Sequence, residues 1–375
     1  MSVTKADVVV VGLGTVGSMA AWRLAERGRQ VIGLEQFPLM HPFGGFTGES
    51  RLFRTAYHEG SMYVPLLLRA RELWVELEQL SHRDLLLKVG TLSVGQQGAA
   101  SISNVIESVR RHDLPHTTFD AEHLRAAYPQ MRVHDDEIGV LDYLGGGLRP
   151  EAAVFSALEQ ARSLGAQLCG NTPVRSIEER GDGVLVQTDD DTYLAEQVIV
   201  AGGAWGQKLD PRLTDLVKIY PLILTWFMPQ RIQDFAPGAF PTFIRDRDGV
   251  HFFGAPALEG YSVKVSPDRS LPPVESVTSM PRTLDSAVLE KLGREAAAFF
   301  PSLHPEPVHY SVHPDAFTET KVPIIDRSGS GRVVTFAGLS GHGFKFAPVY
   351  GELAAQLTED DAPALYDERF SVAGH

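Results

Sequence analysis

Asp7-Val8-Val9-Val10-Val11-Gly12-Leu13-Gly14-Thr15-Val16-Gly17, followed by Gln30-Val31-Ile32-Gly33-Leu34-Glu35, is the stretch that decides the fold. A continuous β-branched run suits a parallel strand buried on both faces. The G-x-G-x-x-G spacing after it predicts a turn into a helix from about Val16 to Arg27, with Gly28 placed to end that helix. The second run is another strand, so the segment reads as one βαβ unit. In such a unit Gly12 permits the tight turn, Gly14 lets the backbone approach a pyrophosphate, and Gly17 lets the helix pack closely. Thr15 and Val16 open the helix, whose terminal N–H groups face the anion. Glu35 stands where an acid accepts hydrogen bonds from ribose hydroxyls and repels a 2′-phosphate. A glycine-rich turn with no nucleotide is disfavoured by strand, helix and acid together, but the fingerprint alone does not separate NAD from FAD.

Composition narrows the classes. A hydrophobic share of 43% with 22% charged residues is enough for packed cores in two domains. The net charge of -13 repels phosphate backbones and anionic lipid, so neither nucleic acid nor a membrane surface is an expected partner. Cys169 is the one cysteine, which excludes an internal disulfide and a multi-cysteine metal site; no metal is expected. No apolar run reaches membrane-spanning length and no basic segment precedes Val8, so a cytoplasmic location is expected.

Periodicity organises the remainder. Met62 to Leu80 and Glu151 to Leu164 read as amphipathic helices. From Val184 to Val200 two strand patterns flank Asp189-Asp190-Asp191, a hairpin turn, and lead into Ala201-Gly202-Gly203-Ala204-Trp205. About Tyr220 to Pro323 is richer in proline and aromatics, with short strands and a helix near Leu284 to Phe299. Buried-strand character returns at Arg332 to Ala337, followed by a Gly-rich turn and a helix from about Val349 to Leu357. The fold class is therefore α/β (α+β overall), a Rossmann-like nucleotide domain plus a second domain with a largely antiparallel sheet. The boundaries assign 1–80, 145–215 and 321–375 to the first and 81–144 and 216–320 to the second.

These segments resemble the monomeric sarcosine oxidase and N-methyltryptophan oxidase group of flavin amine oxidases, within the D-amino-acid-oxidase superfamily. The resemblance covers nearly the whole chain. Its carriers are the fingerprint, Gly48-Glu49-Ser50-Arg51 with Arg54 and Tyr63-Val64-Pro65, Ala201 to Trp205, and Ser340-Gly341-His342-Gly343-Phe344-Lys345-Phe346. It implies FAD in an extended form, with substrate on one flavin face beneath the second domain's sheet. The cofactor positions it implies are the fingerprint with Glu35 and Gln36, then Ser50, Arg51, Val174, Ala201, Gly202, Trp205, Gly338, Gly341, His342, Gly343 and Lys345. Arg54 and Lys345 are implied to clamp a substrate carboxylate, and His342 and Arg51 to lie beside the flavin. Read directly, Arg51 and Arg54 share a face on a helical turn, and His342 is equally a satisfied turn histidine. Lys264 matches a family lysine whose charge favours electron transfer to O2, yet period-two reading puts it with Ser262 and Ser266 on a solvated face.

The chain departs from the family at several positions. Counting back from Pro323 to Asp326 puts His313 where members with covalent flavin carry a cysteine, so FAD is expected to be non-covalent. A histidyl bond stays open chemically. Ungapped counting places Phe253 at a family tyrosine, Asp268 at a histidine, Ile244 at a methionine and Asp315 near a tyrosine, with Gly341 beside the substrate. A pocket with such walls suits an amino acid larger than sarcosine, and Asp315 would meet a second amine if it points inward. The expected reaction is C–N oxidation to an imine with O2 reduced to hydrogen peroxide, by a monomer or weak homodimer. A flavin dehydrogenase with another acceptor, or a nicotinamide-dependent dehydrogenase, is the alternative.

Overall fold

A computed structural model describes residues 3–268, 271–359 and 363–375. The opening stretch forms strand β1 (Val3–Val11), helix α1 (Thr15–Glu26) and strand β2 (Val31–Leu34). β1 pairs parallel with β2 from Val8 to Val11, and on its other edge parallel with Thr192–Val200. Both faces of β1 must then be covered by other layers, which is why Val8, Val9 and Val10 are fully buried. The far edge of Thr192–Val200 is shared: Gly183–Gln187 pairs antiparallel with its first half and Val333–Ala337 parallel with its second. The antiparallel pair is the hairpin expected from Val184 to Val200. With Gln167–Cys169 on β2 and two further strands, this makes an eight-stranded mixed sheet. Its helical cover is α1 against Pro150–Ser163 and Ala347–Thr358, with Val64–Ser81 packed alongside.

A second eight-stranded sheet is antiparallel except where Thr242–Arg247 meets Thr91–Gln96. Its longest strands are Lys218–Pro229 and Leu303–Phe317, paired antiparallel, and helix Ser286–Phe299 covers one side. The first sheet draws its strands from 3–34, 167–200 and 324–337, the second from 91–142 and 218–317. Among the described residues no helix is long and apolar enough to cross a membrane.

Two local expectations are corrected. Arg51 and Arg54 do not share a helical turn: Arg51–Phe53 is a short strand paired with Gly146–Leu148, so the two guanidinium groups leave in different directions. Val263–Pro267 is indeed a strand, but neither of its faces is solvated. Lys264 and Ser266 are as buried as their apolar neighbours, because the strand is interior to its sheet and its polar side is covered by the 48–51 loop.

Candidate active site

One cleft of about 550 Å³ runs from the fingerprint to the second sheet. At its first end Gly12 has φ +86° and a Cβ there would lie 2.5 Å from the Ala201 carbonyl oxygen. A Cβ on Gly17 would lie 1.7 Å from the Gly12 carbonyl oxygen, so this glycine is spent on helix packing and does not itself line the cleft. Gly14, Thr15 and Val16 do line it, and α1 starts with no side-chain cap, which leaves its first N–H groups available to an anion. Glu35 lines the cleft and holds the turn by accepting from Leu13 N–H (2.9 Å) and Phe37 N–H (3.1 Å), with His41 Nε2 3.6 Å from its Oε1. Gln36, Val174, Ala201, Gly202 and Trp205 line the same end; so do Phe37 and His41, whose rings are 4.9 Å apart. These features fit the pyrophosphate and ribose of a dinucleotide.

The middle of the cleft is built on the 44–54 segment. Glu151, in the first turn of Pro150–Ser163, accepts from Gly48 and Glu49 N–H at 2.7 and 3.2 Å. Arg51 wraps inward onto the carbonyls of Gly45, Thr47 and Ser50. Lys264 reaches the same loop from behind, donating to Gly48 O (3.0 Å) and Ser50 O (2.7 Å) with Trp226 5.3 Å away. Neither Lys264 nor Ser50 lines the cleft; the backbone of the 48–51 loop lies between the ammonium and the cleft. Burial, with Arg51 adding to it, pushes the Lys264 ammonium well below the ordinary lysine range. His313 does line the cleft, its Nδ1 3.0 Å from Thr47 Oγ1 and its Nε2 2.7 Å from Ser311 Oγ. Burial beside Arg51 and Lys264 lowers it to about 3.

Gly338, Gly341, His342, Gly343 and Lys345 arrive from the Gly-rich turn before Ala347–Thr358. His342 Nε2 faces the Lys321 carbonyl at 2.8 Å and must carry the hydrogen; Nδ1 then accepts from Tyr57 OH at 2.7 Å. The ring is neutral, lowered to about 4 by burial, with Lys345 and Arg54 opposing its charge against Glu59. Both nitrogens are engaged within the protein, so the satisfied-turn reading of His342 describes its hydrogen bonding. Lys345 donates to His342 O (2.7 Å) and lies above the Tyr57 ring; burial first, then Arg54, lowers it to about 7.

Arg54 is buried over Tyr57 and already grips a carboxylate: Glu59 accepts from Nη2 with both oxygens, at 2.8 and 2.9 Å, while Nη1 bonds His58 Nδ1. Burial pushes Glu59 up, but Arg54, His58, His342 and Lys345 together overturn this and hold it well below the usual carboxylate range. Asn104 and Ser108, on helix Ala100–Arg111, fix the carbonyls of His58 and Tyr57. Ile244 and Phe253 face each other across two strands on the cleft wall, and Asp315 points inward, its carboxyl raised to about 6 by burial. Asp268 is also in the wall, 3.4 Å from Lys321 Nζ.

The family model described as FAD dependent oxidoreductase (DAO) matches residues 7–357. The chain belongs to this family. It is 34% identical to a monomeric sarcosine oxidase of Streptomyces avermitilis, covering 97% of each chain. It is 31% identical to an N-methyl-L-tryptophan oxidase of Salmonella arizonae, covering 96% of each. L-proline dehydrogenase from P. horikoshii shares the fold at a TM-score of 0.86 and 20% identity, over 99% of this chain and 98% of that one. This DAO-family protein is an FAD-dependent amine or amino-acid oxidoreductase. The sequence missed Tyr57, His58, Glu59, Asp246 and His251 in its site. Asp246 and His251 were accessible to period-two reading, since each stands two residues from a named wall residue, Ile244 and Phe253.

Proposed function

We propose that the protein oxidises the C–N bond of a secondary or N-methyl α-amino acid larger than sarcosine, giving an imine, with O2 reduced to hydrogen peroxide. The observation that carries this reading is the set of cations at one end of the cleft, Arg54 and Lys345, close to the turn that holds His342. They suit a carboxylate, as a bidentate and a point contact. A substrate carboxylate takes the place of Glu59 on the Arg54 fork. Ile244 and Phe253 make the apolar wall for the side chain. FAD, held by 1–80, 145–215 and 321–375 with substrate beneath 81–144 and 216–320, supplies the two-electron acceptor. The substrate loses two electrons and two protons, and these convert O2 to H2O2. Lys264, from behind the loop at residues 48–51, and Arg51, within it and on the cleft, would add positive charge where negative charge grows as O2 is reduced.

FAD is non-covalent in this reading. Cys169 lies on the edge strand Gln167–Cys169, and His313 spends both ring nitrogens on Thr47 and Ser311. The single cysteine and acidic surface fit a cytoplasmic enzyme, monomeric or weakly dimeric.

The test begins with the visible spectrum before and after acid precipitation, then anaerobic mixing with N-methyl amino acids. Flavin in the supernatant, bleaching by substrate, and peroxide on readmitting air are expected. Bleaching without reoxidation in air would point instead to a dehydrogenase with another acceptor. Lys264→Met should slow reoxidation by air at least about tenfold while leaving the bleaching step less affected. Equal slowing of both removes Lys264 from the O2 step.

A further inference from the structure

The cleft wall changes character along two adjacent strands. Ile244 is paired in register with Phe253, and two residues nearer the hairpin turn Asp246 is paired with His251. Residues two apart share a sheet face, and all four line the cleft. An apolar section is thus followed by a polar one, farther along the same wall.

Within the polar section Asp246 Oδ1 lies 2.5 Å from His251 Nδ1. An ionised carboxylate only accepts, which places a hydrogen on Nδ1, so that in the neutral form of the ring Nε2 is an acceptor. Burial pushes Asp246 up, but its hydrogen bonds to His251 and Ser101 overturn this and lower it. His251 Nε2 has no hydrogen-bond partner among the described residues, and the ring is in part open to the cleft.

The neighbouring charges are accounted for one by one. His58, its ring centroid 5.7 Å from that of His251, accepts on Nδ1 from Arg54, so it is neutral with its hydrogen on Nε2, 3.4 Å from Glu59. Glu59 is matched by Arg54 until a substrate carboxylate takes that fork, when it becomes a second anion beside His58 that also favours a cation; Asp268 is matched by Lys321. Asp246 differs: its ion-pairing partner among the described residues is the His251 imidazole, with no lysine or arginine paired to it. An acceptor backed by a carboxylate that no lysine or arginine among the described residues neutralises is complementary to a positively charged donor.

We propose that Asp246 and His251 form a distal subsite, in which His251 Nε2 accepts a hydrogen bond from an amino group at the far end of the substrate's side chain. The substrate class is then an α-amino acid with a basic side chain: its carboxylate meets Arg54 and Lys345, its distal ammonium reaches His251 on the other side of His58, and Ile244 and Phe253 lie beside its methylenes. This inference rests on the amino-acid-oxidising reading of the cleft.

The experiment compares α-N-methyl-L-lysine with α-N-methyl-L-norleucine, which lacks only the terminal ammonium, in anaerobic flavin reduction by the holoenzyme. The wild type should favour the basic compound, and His251→Leu or Asp246→Asn should cut that preference by about tenfold. His251→Gln, which keeps a carbonyl acceptor, should retain part of it. A ratio that is the same in wild type and variants overturns the subsite, even if both rates fall together, because a merely structural role moves both alike. If neither compound bleaches the flavin, the oxidation reading fails by itself. The subsite is then judged by the dissociation constants of the same pair, read from perturbation of the flavin spectrum, under the same ratio criterion.

Discussion

At Lys345 two demands oppose each other. The ammonium is buried beside Arg54, which favours its neutral form and lowers it to about 7, and yet a carboxylate ligand needs it charged. Docking an anion raises its pKa, so binding takes up a proton wherever the free lysine has lost one. The sign follows directly: the Lys345 contribution to carboxylate affinity is full below pH 7 and falls as pH rises through 7, by about tenfold per unit until the pKa of the complex is reached. His58 and His342, lowered to about 3 and 4, are neutral throughout that range and do not contribute. Asp315 does contribute, because losing its proton through about 6 adds a repelling charge in the same direction. Spectral titration of the holoenzyme with a non-reacting carboxylate separates the two. Lys345→Met should abolish the limb above pH 7 and leave the one near 6, and a variant that keeps the upper limb would assign it to another group.

On the proposed placement of FAD, cofactor retention depends on the turn between β1 and α1. Gly17→Ala puts a methyl group on the Gly12 carbonyl, which belongs to the turn itself, so the backbone that faces the pyrophosphate must move. We expect the purified variant to hold little flavin, with affinity for added FAD lower by about a hundredfold, and helix content by circular dichroism near that of the wild type. Full flavin occupancy would show that the turn tolerates the shift. This element was legible in the sequence because every level agrees: β-branched run, glycine spacing, helix and acid all dictate one local structure. Helices Val64–Ser81, Pro150–Ser163 and Ala347–Thr358 were legible for the same reason, their apolar spacing matching the face they bury. The strand carrying Lys264 misled, since alternation reports which residues share a face and not whether another segment covers it. Strands Thr91–Gln96 and Glu137–Asp142 and helix Ala100–Arg111 gave no clear functional signal, yet Asp142 holds the Thr55 and Ala56 N–H groups and Asn104 and Ser108 hold the two residues beyond. Long-range contacts of this kind position Arg54, Tyr57 and Glu59, and no local pattern encodes them. The Arg54 clamp was named by resemblance, while its internal partner Glu59 required the fold.

Across the whole molecule the cleft joins two sheets that share no strand: Gly12, Glu35 and Gly202 face it from the parallel side, Ile244, Phe253 and Asp315 from the antiparallel side. A ligand spanning both is bound only by the folded arrangement of the two, so its binding energy adds to the stability of the pair and not of either alone. At a free FAD concentration a hundred times its dissociation constant, this linkage is worth about 2.7 kcal/mol. For a chain of this size that corresponds to a rise in Tm on the order of 5 °C when FAD is added to flavin-free protein. The two probes that matter are flavin fluorescence, which rises on release, and circular dichroism, which follows both sheets. In the proposed site FAD is held by the fingerprint and the Gly338–Lys345 turn on the first sheet's side while Leu222, Leu224 and His313 of the second sheet close the same cleft, so we expect the two signals to share one midpoint in the holoenzyme. Release of flavin well below the loss of secondary structure would mean that one sheet lets go before the other unfolds, and that the cofactor does not couple them.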